Sequence, residues 1–176
     1  MFTKPRKSKS RYAQTGKISQ HKGNLAEKKV LASYKNDPYI FVFKRYEPYK
    51  RVGQPRKGVF KAVNQGKAGC DFAFFLFDGV AGMFELKSRK GTRITKTAVD
   101  AVQADELDKM VSLGHLAFVL VEMRVSDEES LWFRVDWNLW YSGSKKSHNI
   151  EDLQKIGMLC PVDSSNNPLF FSCGSL

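Results

Sequence analysis

The sequence predicts an α/β fold in which helices pack against a mixed β-sheet, with the elements in the order α-β-(basic insert)-β-β-α-β-β. Short runs rich in aromatic and β-branched residues alternate with two longer helical segments, which is typical of such a sheet. The composition is that of a globular protein, since 42% of the 176 residues are hydrophobic and 12% are aromatic. This length suits one domain with a core of its own and is short for two.

Local signals place each element. The first helix is expected over residues 24–35, with Asn24 as its N-cap and Asn36-Asp37 before Pro38 as its stop. A short strand at 39–43 follows. The later elements are a hairpin of strands at about 70–77 and 81–88, a helix at about 98–113 between Thr97 as its cap and Gly114 as its stop, strands at 115–123 and 131–135, and a short helix at 149–156. Residues 136–148 are expected to form an aromatic and then polar loop, and the tail from Met158 is expected to be irregular.

Positive charge is concentrated in two segments of a chain whose net charge is +11. Residues 1–22 hold seven Lys and Arg and no acid, and are expected to form a flexible basic arm ahead of a single domain at 23–176. Residues 44–68 are the basic insert, in which eight Lys and Arg stand against Glu47, and Pro and Gly predict a protruding loop or an irregular hairpin.

Clustered charge of this kind indicates a nucleic-acid partner, with an anionic membrane as the second choice. A solubilising tail and a solvated loop are the simpler alternatives for the two segments. The candidate phosphate contacts are Lys4, Arg6, Lys7, Lys9 and Arg11 in the arm, and Arg51, Arg56 and Lys57 in the insert.

The cysteine and histidine content argues against several kinds of site. Cys70, Cys160 and Cys173 are odd in number and form no CxxC pair, so a disulfide framework or zinc site is not expected and a reducing cytoplasm fits, that of a host if the source is a phage. The three histidines are scattered. No apolar run approaches the ~20 residues that span a bilayer, and no hydrophobic segment follows the basic N-terminus, so neither a membrane partner nor a secretory signal is expected.

A charged pair stands inside the second strand of the predicted hairpin, in the stretch GMFELKSRKG at 82–91. Glu85 and Lys87 are two residues apart and therefore point to the same face of the sheet. Asp71, on the preceding strand, joins them only if the turn around Gly79 contains an extra residue. A two-residue turn sets Asp71 opposite Leu86, on the other face, whereas a three-residue loop at 78–80 sets it opposite Lys87.

Two carboxylates on one face, with oxygen ligands only, suit Mg²⁺ or Mn²⁺. Such an ion polarises a phosphate oxygen and lowers the pKa of bound water, and a nearby lysine can orient the nucleophile or offset developing charge. The alternative is a structural Glu–Lys pair at the end of a strand, because Glu-x-Lys is a common tripeptide.

The pattern Asp71…Glu85-Leu86-Lys87 resembles the motif of PD-(D/E)XK nucleases, with Cys70 where a proline often stands. The order of elements from 23 to about 135 is similar to that of Holliday-junction resolvases, of the bacterial RecU type or the archaeal Hjc type. The resemblance implies a restriction-endonuclease-like fold and a homodimer that cuts two strands of a four-way junction. It also implies a metal held by Asp71, Glu85 and the backbone carbonyl of Leu86.

The same resemblance assigns two helical residues to the site. Glu27 matches the first-helix glutamate that helps to bind the metal or its waters, although Asn24-x-x-Glu27 is also close to a capping box. Gln103 matches a glutamine on the helix after the motif, with a hydrogen-bonded residue on the helix flank as an equal alternative. The basic turn after the motif is expected to hold the flanking phosphates through Ser88, Arg89, Lys90, Thr92 and Arg93.

The leading hypothesis is a Mg²⁺-dependent endonuclease that acts on branched DNA as a Holliday-junction resolvase. One alternative keeps the fold and changes the substrate to duplex, nicked or flapped DNA, as in phage or restriction-type nucleases. The other is a DNA-binding module without catalytic activity, in which the Glu-x-Lys pair is structural. The resemblance fades after residue 135 and leaves the C-terminal 40 or so residues unmatched.

Overall fold

A six-stranded mixed β-sheet organises the chain, with helices on both of its faces. The structure is a computed structural model that describes residues 25–46, 49–56, 59–64, 69–126 and 128–171, with the backbone alone described at 49–56 and 59–64. The strand order is β1-β4-β5-β7-β8-β10, in which β5 and β7 run parallel and every other neighbouring pair is antiparallel. The predicted mixed α/β fold is confirmed.

The elements follow the chain in this order. Residues 25–33 form helix α1, followed by β1 (Ile40–Lys44), β2 (Tyr49–Arg56), β3 (Val59–Asn64), β4 (Phe72–Leu76), β5 (Ala81–Lys90), β6 (Arg93–Thr95), a 3-10 turn (Lys96–Ala98), α2 (Ala101–Ser112), β7 (Leu116–Arg124), β8 (Ser130–Asp136), α3 (Trp137–Trp140), β9 (Ser147–Asn149), α4 (Ile150–Ile156) and β10 (Met158–Cys160). The basic insert contains β2 and β3, which form an irregular hairpin with a register shift between Val52 and Arg56. A second two-stranded sheet joins β6 and β9.

The β4–β5 hairpin has the extra turn residue that the site hypothesis needs. Phe72 pairs with Phe84 and Phe75 with Ala81, so the loop consists of the three residues 77–79. The backbone N–H of Leu76 donates to Val80 (2.8 Å), and Gly79 has φ +87°, a conformation that favours glycine. The loop lies one residue earlier than the predicted 78–80, which changes the register by two residues and keeps the same faces.

Aromatic rings fill the core on the α1 side of the sheet. Phe84 lies between Phe72 and Phe118, with ring centroids 4.9 and 4.8 Å away and interplanar angles of 6° and 5°. All three rings are fully buried, together with Phe170 from the C-terminal tail. A second core on the α2 side contains mainly aliphatic residues of β7 and α2, with Trp137 and Trp140.

Three expectations about the later part of the chain were wrong: the start of α2, the loop at 136–148 and the irregular tail. Helix α2 begins after Asp100 rather than Thr97, because the Asp100 carboxylate caps the backbone N–H groups of its first turn. Residues 136–148 are not a plain loop, since they contain α3, the buried Trp140 and, in β9, the buried His148. His148 Nε2 lies 2.8 Å from the carbonyl of Trp140, so the ring is part of the core.

The C-terminal tail is ordered against the sheet rather than irregular throughout. Strand β10 pairs with β8, and Phe170 packs edge-on against Phe84 with centroids 5.2 Å apart. The backbone N–H of Phe171 donates to the hydroxyl of Tyr34 (2.8 Å), which ties the tail to the segment that follows α1. The tail therefore completes the core on that side.

Cys70 and Cys160 are buried free thiols. In the part of the chain that the structure describes, no helix is long and apolar enough to cross a membrane.

Replacing Phe84 by Ala is expected to lower the free energy of unfolding by about 3–5 kcal/mol, because the change removes the ring between two stacked neighbours and leaves a cavity. Urea denaturation measures this loss. The matched control is Phe77→Ala, which truncates a ring that is 81% exposed and should change stability by less than about 0.5 kcal/mol. Equal losses in the two variants would contradict the packing described for Phe84.

Candidate active site

The hairpin brings Asp71 and Glu85 into contact. One step beyond the Phe72–Phe84 pair, the register sets Asp71 opposite Glu85, on the face that also carries Lys87. The backbone N–H of Asp71 donates to Glu85 Oε2 (3.1 Å), and that of Leu86 donates to Asp71 Oδ2 (3.2 Å). The backbone N–H groups of Asp71 and Leu86 therefore hold the two carboxylates side by side.

Lys87 and Gln103 complete the group. Lys87 Nζ donates to Glu85 Oε1 (2.6 Å) and to Gln103 Oε1 (3.1 Å). Gln103 Nε2 donates to the same carboxylate oxygen (2.6 Å). Glu85 is only 1% exposed, so these contacts take the place of water around its carboxylate.

Gln103 makes contacts of both kinds that the sequence left open. Its Oε1 accepts a hydrogen bond from the backbone N–H of Asp100 (3.0 Å), while the Asp100 carboxylate accepts from the backbone of Gln103 (3.1 Å). This is a capping box at the start of α2. The same amide side chain contacts Glu85 and Lys87, so the beginning of the helix positions the site.

Burial leaves the carboxylates with more negative charge than their surroundings balance. Desolvation, followed by the negative charge of Asp71, raises the pKa of Glu85 to about 8, although Lys87 opposes the shift. Desolvation also raises the pKa of Asp71, against the hydrogen bond from the Leu86 backbone and the charge of Lys87. One ammonium group faces two carboxylates, of which Glu85 is buried and Asp71 is partly buried. A bound cation would relieve this electrostatic condition.

The donor set fits a hard divalent cation. Asp71 and Glu85 offer carboxylate oxygens, the ligands that Mg²⁺ and Mn²⁺ prefer. Among the described residues, no group of three or more His, Cys, Asp or Glu side chains is placed to hold an ion. The protein would thus supply few ligands, as is usual for magnesium, which keeps several waters.

A second ion pair, which the sequence did not reveal, supports the strand that carries Asp71. The guanidinium of Arg45 makes two hydrogen bonds to the carboxylate of Glu106, which also accepts from the backbone N–H of Cys70 (2.8 Å). A side chain at Gly69 would collide with this carboxylate. Burial opposes ionisation of Glu106, but the bonds from Arg45 and Cys70 lower its pKa overall. Glu106 lies one turn after Gln103 on α2, and this spacing was the sequence signal that it is near the site.

The structure places Glu27 near the site without direct contact to the pair. Its Oε2 accepts from Lys44 Nζ (2.6 Å), and its charge contributes to the raised pKa of Asp71. The capping alternative involves Asn24, which lies outside the described residues. Glu27 thus borders the carboxylate pair from α1.

The predicted phosphate-binding turn is divided between the two faces of the sheet. Ser88 points away from Lys87 and donates to the buried Glu122 on β7 (2.5 Å). Arg89 and Lys90 are exposed at the end of β5, and Arg93 is exposed at the start of β6. The five candidates in the arm, Lys4, Arg6, Lys7, Lys9 and Arg11, lie outside the described residues, as does Lys57, and the side chains of Arg51 and Arg56 in β2 are not described.

Comparison with solved structures finds a similarity to Hjc from Archaeoglobus fulgidus, a Holliday junction resolvase from an archaeal hyperthermophile. The TM-score is 0.49 and the identity 13%, over 77% of this chain and 94% of that chain. No protein-family model matches the sequence, and a search of curated proteins finds no match. An identity of 13% and a TM-score of 0.49 carry no assignment of function to this chain.

The raised pKa of Glu85 predicts a pH-dependent stability in metal-free buffer. Between about pH 5 and pH 8 the folded protein keeps a proton that the unfolded chain has released, so the free energy of unfolding falls as the pH rises and levels off above about pH 8. One pKa unit corresponds to about 1.4 kcal/mol, so the fall is on the order of a few kcal/mol. Urea titrations in EDTA across this range measure it.

The Glu85→Gln variant should lose most of this decline, because an amide cannot ionise. Glu151→Gln, which changes an exposed acid on α4, is the control and should keep the wild-type profile. A wild-type profile that is flat from pH 5 to 8 would show that Glu85 is not held in the way described.

Proposed function

We propose that the chain is a Mg²⁺- or Mn²⁺-dependent endonuclease that cuts branched DNA, with the four-way junction as its substrate. The observation that supports this most directly is the contact of the buried Glu85 with the partly buried Asp71, both with raised pKa values, beside Lys87. Perturbed acids next to a specific charged partner are typical of sites that do chemistry.

A purely structural role accounts for less of the geometry. A Glu–Lys salt bridge explains the contact of Lys87 with Glu85, but it leaves one ammonium group to balance the carboxylates of both Glu85 and Asp71. Burying an unbalanced charge costs several kcal/mol, and a fold without a use for it would be more stable with an apolar side chain at Asp71. The geometry therefore favours an enzyme over a binding module.

In this proposal the carboxylates of Asp71 and Glu85 hold the ion, together with the backbone carbonyl of Leu86, and Glu27 contacts it through water. When bound, the ion supplies a polarised phosphate oxygen and a water of lowered pKa. Lys87 orients the attacking water and offsets negative charge on the phosphate. Gln103 keeps the Lys87 ammonium and the Glu85 carboxylate in place from the start of α2.

The charge distribution identifies which parts of the chain attract DNA. The basic arm carries a net charge of +7 and the basic insert +7, so the rest of the chain has −3 within the total of +11. Long-range attraction of a phosphate backbone therefore comes from these two segments. We assign to them the contacts with the arms of the junction, and to Arg89, Lys90 and Arg93 the phosphates beside the cut.

The four-way junction and the homodimer enter the proposal through the resemblance of the motif to resolvases. Two copies related by a two-fold axis would present two sites to two strands, which is the arrangement that symmetric cleavage requires. Duplex, nicked or flapped DNA is the competing substrate class.

Asp71→Asn and Glu85→Gln are each expected to lower the Mg²⁺-dependent cleavage rate of a labelled four-way junction by at least a hundredfold, because each removes a charged ligand. Junction binding in Ca²⁺ or metal-free buffer should stay within about threefold, since the arm and the insert are unchanged. The matched control is Glu122→Gln, a carboxylate that is 3% exposed on the opposite face of the same sheet, and it should keep the activity of wild type.

Cleavage at the wild-type rate by either variant would remove the site assignment. A comparison of the junction with a linear duplex of the same sequence separates the substrate classes. A resolvase cuts the junction symmetrically and leaves the duplex intact, whereas equal cutting of both substrates would assign the enzyme to the duplex-cleaving alternative.

Replacing Arg6, Lys7 and Lys9 by Gln should weaken DNA binding and reduce its salt dependence, because each side chain that no longer neutralises a phosphate lowers the slope of log K against log salt by about 1. Lys35, Lys109 and Lys155, which are exposed outside the arm and the insert, provide a control triple variant with the same change in net charge. Binding measured by anisotropy between 50 and 200 mM salt distinguishes them. Equal slopes for the two variants would show that overall charge, rather than the arm, determines binding.

A further inference from the structure

Five aromatic side chains form a row on the outer part of the sheet, at strands β1 and β4. The row consists of Tyr39, Phe41, Phe43, Phe75 and Phe77. Phe41 pairs with Phe75 across the strands, which sets their side chains on the same face. The two-residue alternation places the other members on that face as well.

The row is exposed to solvent although its rings contact one another. Phe41 is 63% exposed, Phe75 53% and Phe77 81%. Phe43 lies between Phe41 and Phe75, with centroids 5.6 and 6.0 Å away and interplanar angles of 31° and 15°. With about 200 Å² per ring, the row exposes about 500 Å² of aromatic surface. This is the size of the largest apolar patch on a typical monomer, and such a patch is often functional.

The row continues the line of side chains that begins at the active site. Asp71, Phe75 and Phe77 are separated by even numbers of residues along β4 and its ends, so they lie on one face. Four residues separate Asp71 from Phe75, which corresponds to about 13 Å at about 3.3 Å per residue. A stacked nucleic-acid strand rises about 3.4 Å per nucleotide, so the distance matches about four nucleotides.

The chemistry of the row favours nucleobases over an apolar protein surface. All of its members are aromatic, and their exposed ring faces offer stacking surfaces that every base can use. Phe43 and Phe75 are stacked at 15°, whereas Tyr39 and Phe77 meet edge-on at 88°. Strand β1 ends at Lys44, which is also the first residue of the basic insert, and Arg45 follows it. A polyanionic strand held by the insert, with its charge of +7, would therefore pass the end of the row, so positive charge and stacking surface lie next to each other.

We propose that the aromatic row binds unpaired nucleobases of the DNA substrate, a few nucleotides from the phosphate that is cut. The choice of DNA as the ligand rests on the proposed nuclease function. Bases that are stacked and paired in a duplex do not offer their faces to these rings. The row therefore contributes affinity only where the substrate contains unpaired nucleotides, as at a strand exchange point, a flap or a frayed end.

The test is binding by the full-length protein in EDTA, where Mg²⁺-dependent cleavage does not proceed. The probes are a labelled duplex with a single-stranded flap and a fully paired duplex of the same length. In the Phe75→Leu and Phe77→Leu variants the apolar character remains and the stacking faces are removed. Stacking of one base changes Kd by about five- to a hundredfold, so the double variant should bind the flapped probe at least tenfold more weakly and the paired duplex within twofold.

Tyr141→Leu is the matched control, because it removes a ring that is 48% exposed on the residue that follows α3, away from the row. It should bind both probes as wild type does. Thermal melts of all variants confirm that they are folded, as the exposure of Phe75 and Phe77 leads us to expect.

An equal loss of affinity for the paired and flapped probes would overturn the proposal, and so would no loss for either. If the double variant changes the sedimentation coefficient and leaves the preference for flaps intact, the row is a contact between two copies instead. Failure of the nuclease proposal is separately visible, because cleavage by Asp71→Asn at the wild-type rate would not alter the binding comparison in EDTA.

Discussion

The contact between the carboxylates of Asp71 and Glu85 is the interaction on which the rest of the site depends. The backbone N–H of Asp71 donates to Glu85 and that of Leu86 donates to Asp71, and desolvation raises the pKa of both carboxylates. Repulsion between them is contained by one ammonium group and one amide, which come from β5 and α2. The arrangement holds only while the strand pair and the beginning of the helix keep their relative positions.

One face of strand β5 makes apolar packing contacts and the other makes polar contacts. On the α1 side, Phe84 is stacked between two rings and fixes the strand by packing alone. On the α2 side, the neighbouring residue Glu85 makes polar contacts that require the strand to be rigid. Because side chains alternate along the strand, packing on the apolar face offsets the free-energy cost of burying charge on the other face.

Local signals were sufficient for the central elements and for the faces of the site. The period of two along β5 predicted that Glu85 and Lys87 share a face, and the three-residue turn followed from the need to include Asp71. The register was wrong by two residues because Gly79, with its positive φ, occupies the last position of the loop rather than the middle. A three-residue hairpin prefers glycine at its last position, and this preference would have predicted the correct register.

Long-range contacts could not be predicted in the same way. Arg45 and Glu106 are 61 residues apart, and nothing near either residue identifies the other. Phe170 and Phe171 belong to a segment without a helical or strand period, so their place in the core depends on the completed sheet. The cap of α2 could have been predicted, because Asp100-x-x-Gln103 is a local capping pattern that lies three residues after the expected cap, Thr97.

The double use of Gln103 restricts the sequence at this position more than either use does alone. The third residue of a capping box can be Glu or Gln, since either side chain accepts the backbone hydrogen bond. Beside Glu85, however, a glutamate would add a third negative charge and would lack the N–H group that Gln103 donates. Helix stability permits two residues here and the contact with Glu85 permits one of them, so the stability of α2 and the arrangement around Glu85 cannot vary independently at position 103.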